Sequence, residues 1–197
     1  LPAQLAERQA LLLLELDGDR PGSLLGQAGE IADLCQRLGA GEALVASEGA
    51  EQRRLWRIRE RVGEAVRERS VYKEADAVVP RAALAELVRA ARRAAGGQGL
   101  EAICYGHAGD GNLHVNLLRG DLDEVAWNSR RDAAETELYR EVVELGGTIS
   151  GEHGIGWTQR RHLDLVLDPA TLRAMRGIKR LFDPRGILNP GKIFPDP

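Results

Sequence analysis

Glu101-Ala-Ile-Cys-Tyr-Gly-His-Ala-Gly-Asp-Gly-Asn-Leu-His-Val-Asn-Leu-Leu118 is the stretch on which the fold turns. Two runs suited to strands, 101–107 and 112–118, flank Gly109-Asp110-Gly111, a composition that reverses the chain tightly, so the stretch predicts an antiparallel hairpin. With His107 set opposite His114, Tyr105 falls opposite Asn116, and paired residues share a face with Cβ atoms about 4.5–5.5 Å apart. The period of two sends Leu113, Val115 and Leu117 to the reverse side, where they fill a core. His107, His114 and Asn116 are left together on a polar face. Two imidazoles converging across a turn make half of a metal site; the plainer alternative is a hairpin with two solvated histidines.

Outward from the hairpin, further elements follow from pattern. Ala75 to Val79 reads as a strand closed by Pro80, and a helix over about 81–95 stops at Gly96-Gly97. Upstream, Ala10 to Leu16 and Glu42 to Ala46 read as strands, with a helix over about 22–38 between them and a long helix over about 50–69 after them. Helices over about 129–145 and 169–182 bracket a Gly-rich segment, Gly146 to Gly156, and the chain ends in a run of turns. One direct hairpin and few strands predict an α+β class: a ferredoxin-like sandwich, mainly antiparallel, with helices on one face and an irregular C-terminal tail. The two β-α-β stretches suggest a degenerate repeat of that unit.

The chain has 197 residues, 43% hydrophobic and 29% charged, enough for a real core. A net charge of −3 argues against life on nucleic acid or anionic lipid, which needs surplus positive charge. The longest apolar run, Ala10 to Leu14, is far short of the roughly 20 residues of a membrane span. No signal peptide is expected, and two cysteines, Cys35 and Cys104, make no disulfide framework, so a cytoplasmic, reducing location is the expectation. A first residue of Leu1 rather than Met suggests part of something longer.

The second chemical signal is Gly151-Glu-His-Gly-Ile-Gly156. A carboxylate on such a loop, Glu152, can join His107 and His114; two histidines and one carboxylate leave a coordination position open, as catalytic zinc-type sites do. His153, adjacent, must point elsewhere and is free to move a proton near neutral pH. A flexible surface loop is the alternative. Arg59 projects beside the stripe Leu55, Ile58, Val62 and Val66, where a guanidinium either snorkels out or meets a carboxylate. Lys73 is one of three lysines; alone it reads as surface, as does His162. The tail from Phe182 to Phe194 carries apolar anchors and is expected to pack back onto the domain.

His107-Ala-Gly-Asp-Gly-Asn-Leu-His114, Gly151-Glu-His-Gly-Ile-Gly156 and Asn189-Pro-Gly-Lys192, in that order, resemble the C-terminal domain of FAD-linked oxidases. The look-alikes within that family are the glycolate oxidase, D-lactate dehydrogenase and D-2-hydroxyglutarate dehydrogenase types. The resemblance covers essentially the whole chain. It implies a substrate or cap domain spanning residues 1–197 whose FAD is held mainly by a flavin-binding domain preceding it in the same polypeptide. It implies that His107, His114 and Glu152 bind a divalent metal, zinc by expectation. The resemblance further implies that His153 takes the substrate hydroxyl proton, that Asn116 lies beside the substrate, that Arg59 and Lys73 hold its carboxylate, and that Asn189 approaches the flavin. Gly63 stands where the hydroxyglutarate enzyme has a substrate-contacting threonine, which weighs against a substrate with a distal carboxylate.

The implied reaction is oxidation of a small D-2-hydroxy acid to its 2-oxo acid with hydride transfer to FAD. Expected partners are the substrate, the flavin-binding domain, an electron-acceptor protein or quinone that places the enzyme at a membrane periphery, and a second copy in a homodimer; nucleic acid is excluded. Two other classes stay open at this stage: a flavin-free metallohydrolase using the same ligands, and a non-catalytic interaction domain that kept the fold.

Overall fold

The computed structural model describes residues 10–41 and 43–194, in two compact units that divide between Glu64 and Ala65. The first unit is helical where it is regular. Pro21 opens α1 (Pro21–Arg37), and Gly39, at φ +89°, takes the left-handed turn just after it. The helix predicted over 50–69 forms as two, α2 (Gly49–Glu60) and α3 (Val62–Arg69), interrupted at Arg61 where Val62-Gly63 lowers helix propensity. α3 crosses the boundary between the units.

The strands expected at 10–16 and 42–46 are corrected. Residues 10–16 form no strand, and Leu11 to Leu14 are exposed; 43–46 are likewise irregular, and Glu42 lies outside the described residues. An apolar run becomes a buried strand only when a neighbour takes its N–H and C=O groups, and among the described residues none pairs with either. Among the described residues the ferredoxin-like unit is therefore made once, not as a repeat.

That unit is the second one. β1 (Tyr72–Val78), α4 (Leu84–Gly97), β2 (Glu101–His107), β3 (Asn112–Leu118) and α5 (Glu124–Glu144) build an antiparallel sheet in the order β1-β3-β2. After α5, Thr148 bridges Val78 antiparallel, so the fourth strand of the split β-α-β is present beside β1 as a single bridge. The α+β class and the irregular tail are as expected. Asp123 caps α5 by accepting from the Ala126 N–H, so that the helix begins at Glu124, five residues before the predicted start. Asp168 caps the last helix, α6 (Pro169–Phe182).

The core lies on one face of the sheet. Leu113, Val115 and Leu117 of β3 and Ala75 and Ala77 of β1 meet Leu87, Ala91 and Ala94 of α4 and Leu138, Tyr139 and Val142 of α5. Alternation puts Lys73 on this side too, and a buried polar cluster receives it. Glu135 of α5, 1% exposed, lies 3.2 Å from Lys73 Nζ, 2.8 Å from Arg161 and 3.6 Å from His162 Nε2. His162 is thus buried against Tyr139, not on the surface as expected, because it completes this cluster. Burial alone would raise the Glu135 carboxyl; His162, Lys73 and Arg161 outweigh it and hold the group at about 2.

A depressed acid stabilises the fold above its ordinary value, 4.5, and that contribution fades as pH falls from there toward 2. Lys73→Ala should lower unfolding stability by about 1–3 kcal/mol, since Glu135 keeps Arg161 but loses one cation. Urea titrations at neutral pH and at pH near 3 check both statements: the variant's deficit should shrink at the lower pH.

Candidate metal and catalytic site

The other face of the sheet carries the candidate site residues. Three rows cross it: Glu74–Asn116–Ile103, Asp76–His114–Tyr105 and Val78–Asn112–His107. His107 pairs with Asn112, not with His114 as the sequence suggested, because the loop is the four residues 108–111, with Gly111 at φ +72°. The slip is two residues, an even number, so every side chain keeps its predicted face. His107 and His114 become diagonal neighbours with ring centroids 5.9 Å apart.

Asp76 brings the Gly-rich loop to this face. It is fully buried, and its Oδ2 accepts the backbone N–H groups of Gly151 (2.9 Å), Glu152 (2.7 Å) and His153 (2.8 Å). Its Oδ1 accepts from Asn112 Nδ2 at 2.7 Å. Burial alone would raise this carboxyl, yet the His153 N–H, the Asn112 amide and the Glu152 N–H together hold it below the usual range. Gly151 permits the approach, since a Cβ there would collide with Asn112 Nδ2.

With the loop so fixed, Glu152 Oε1 lies 3.2 Å from His114 Nε2, and His107, His114 and Glu152 present ligand atoms all within 4.8 Å of one another. The set fits a divalent cation by its chemistry, two imidazoles and a carboxylate. On the other side of His114, Nδ1 is buried without a hydrogen bond, 3.7 Å from Glu74 Oε1 and 3.8 Å from Asp76 Oδ1. His153 stacks on His114, centroids 5.1 Å apart at 21°, with Nδ1 3.3 Å from Glu74 Oε1 and Nε2 3.9 Å from Glu152 Oε1. Glu74, His114 and His153 thereby form a second group within ligand reach. Glu74 also accepts from the Tyr105 hydroxyl at 3.1 Å, which occupies its other oxygen.

Asn116 is buried on the same face, paired with Glu74 in the sheet. Lys73 does not join them: it lies on the opposite face, 3.2 Å from Glu135. Arg59 is an exposed residue of α2, in the first unit. Asn189 sits exposed in the tail at φ +46°. The tail packs back only in part: the Ile193 N–H donates to Gly156 O at 2.7 Å and Gly191 closes on the Trp157 ring, but the expected anchors Phe182, Ile187 and Leu188 stay exposed.

Residues 3–193 match the family described as FAD linked oxidases, C-terminal domain. The chain belongs to this family. It is 41% identical over 167 residues to a D-lactate dehydrogenase of Archaeoglobus fulgidus, covering 85% of this chain and 36% of that protein. It is 35% identical over 199 residues to the mitochondrial D-2-hydroxyglutarate dehydrogenase of Bos taurus, covering 99% of this chain and 35% of that protein. Glycolate oxidase subunit GlcD of Bacillus subtilis is 41% identical over 119 residues, covering 60% and 25%. The chain spans about a quarter to two fifths of the length of the curated relatives it matches.

In this FAD-linked oxidase domain the residues that sequence reading missed are Asp76 and Glu74. The signal was there: Ala75-Asp-Ala-Val-Val79 is an apolar strand with a carboxylate inside it, which has to be offset by hydrogen bonds, and Glu74 shares its face by the period of two. Asp76→Ala should leave three N–H groups without their acceptor and cost about 3 kcal/mol or more. Amide exchange at residues 151–153 checks it: slow in the wild type and fast in the variant, with β2 and β3 unchanged.

Proposed function

We propose that this chain is the substrate- and metal-binding domain of a flavin-dependent dehydrogenase that oxidises a small D-2-hydroxy acid, glycolate- or lactate-like, to the 2-oxo acid. The observation that carries the reading is the convergence of His107, His114 and Glu152 beside His153, in a chain of the FAD-linked oxidase family. His107, His114 and Glu152 would hold the cation, zinc by first choice among divalent ions that accept imidazole and carboxylate. When bound, the cation would lower the pKa of the substrate hydroxyl, and FAD, held mainly by a flavin-binding domain of the same polypeptide, would accept the hydride.

The chain's own residues do the rest. His153, half-exposed beside the ligands, takes the hydroxyl proton. Asn116 orients the substrate from the middle of the polar face. Arg59 is assigned the substrate carboxylate, for which its planar fork is suited; Lys73 is left out of that role because Glu135 holds it on the helix side. Asn189 offers an exposed amide to the flavin's polar edge. The enzyme works in the cytoplasm, passing electrons to an acceptor protein or quinone.

Calorimetry with zinc and manganese tests the ligand set. The wild type should bind one ion, and His107→Ala or His114→Ala should weaken binding at least tenfold; binding equal to wild type in both variants would remove the site. In the full-length enzyme, His153→Ala should lower turnover with D-lactate or glycolate at least a hundredfold while metal and flavin content stay unchanged. Loss of metal from that variant would make His153 a ligand instead of a base.

A further inference from the structure

We propose that Glu74 is a positioning residue that fixes His153 as the tautomer carrying its proton on Nδ1, so that Nε2 is the bare nitrogen. This deepens the reading of His153 as the base and rests on it. A neutral imidazole has one donor and one acceptor nitrogen, and an ionised carboxylate only accepts, so the nitrogen nearer a carboxylate is favoured as the donor. That nitrogen is Nδ1, 3.3 Å from Oε1.

Three further contacts hold the geometry. The Tyr105 hydroxyl donates to Glu74 Oε2 at 3.1 Å, which sets the rotation of the carboxylate. Stacking on His114 at 21° sets the plane of the His153 ring. The Asp76 carboxylate grips the His153 backbone N–H at 2.8 Å, which sets where the ring begins. Glu74 and Asp76 are two residues apart on β1, so one strand fixes both ends of His153, backbone and ring.

The consequence is directional. Nε2 lies on the side of Glu152, 3.9 Å from its Oε1, the side on which the proposed ligand set would hold the cation and the substrate hydroxyl. In the proposed oxidation the O–H bond breaks, its proton forms the Nε2–H bond of His153, and the hydride from the α-carbon reduces FAD. Glu74 then faces a ring that carries protons on both nitrogens. Glu74 acts through His153 and does not touch the substrate. Its other conceivable role, as a ligand with His114 and His153, competes for the same oxygen atoms that Tyr105 and His153 already use.

Nitrogen-15 NMR of the zinc-loaded protein labelled at histidine tests the assignment without turnover. The chain has four histidines, so single substitutions assign every ring. At mildly alkaline pH, His153 should show a pyrrole-type shift at Nδ1 and a pyridine-type shift at Nε2. Glu74→Ala should move it toward the Nε2–H form that free imidazole prefers, and Glu74→Gln, whose amide oxygen still accepts, should restore the wild-type pattern. Zinc stoichiometry should stay at one in both. In the full-length enzyme, Glu74→Ala should lower kcat about tenfold or more with KM little changed, and Glu74→Gln should recover most of it. A proton on Nε2 in the wild type would overturn the proposal, and zinc loss from both Glu74 variants would do so by making Glu74 a ligand. Failure of His153 as the base is a separate result, read from the activity of His153→Ala.

Discussion

One carboxylate organises the site. Asp76 has no exposure to water, and a buried carboxylate is costly unless donors surround it. Four donors do: three consecutive backbone N–H groups of the Gly151–His153 loop and the amide of Asn112. The bonds are reciprocal in effect. The loop neutralises the cost of burying Asp76, and Asp76 fastens an otherwise irregular segment to the sheet. Without this contact Glu152 and His153 would be two polar residues on a glycine-rich loop, far beyond His114 in sequence. With it they stand over His114 at 3.2 Å and in ring contact.

β1 does more than hold Asp76. Its alternation divides charge between the two sides of the sheet: Lys73 turns to the helices and meets Glu135, whereas Glu74 and Asp76 turn to the site. The Glu135 cluster in turn binds Arg161 and His162, in the segment that follows the loop. The loop is therefore anchored to the sheet by Asp76 at its start and its downstream chain is anchored to α5. The tail touches the stretch between at Gly156 and Trp157, which stay exposed. Rigid support from regular elements on both sides is what a site needs if its ligand geometry is to survive on a loop.

Much of this was legible in the sequence. The hairpin, its two faces and the core role of Leu113, Val115 and Leu117 follow from the period of two, which survives a register error of two residues. The convergence of His107, His114 and Glu152 was legible from the motifs. Three things were not. Local pattern cannot show whether Ala10 to Leu16 finds a strand partner, and here it finds none. The side taken by Lys73 depends on strand phase, and the motif alone did not fix it. Asp76 was passed over because its role is made by backbone groups 75 to 77 residues away, which leave no side-chain signature.

The most direct test is a crystal structure of the zinc-soaked protein with anomalous data collected at the zinc edge. The expected map has one strong peak about 2.0–2.2 Å from a nitrogen of His107, Nε2 of His114 and a carboxylate oxygen of Glu152, with His153 outside bonding distance. A peak bonded to Glu74, His114 and His153, or none on this face of the sheet, would contradict it.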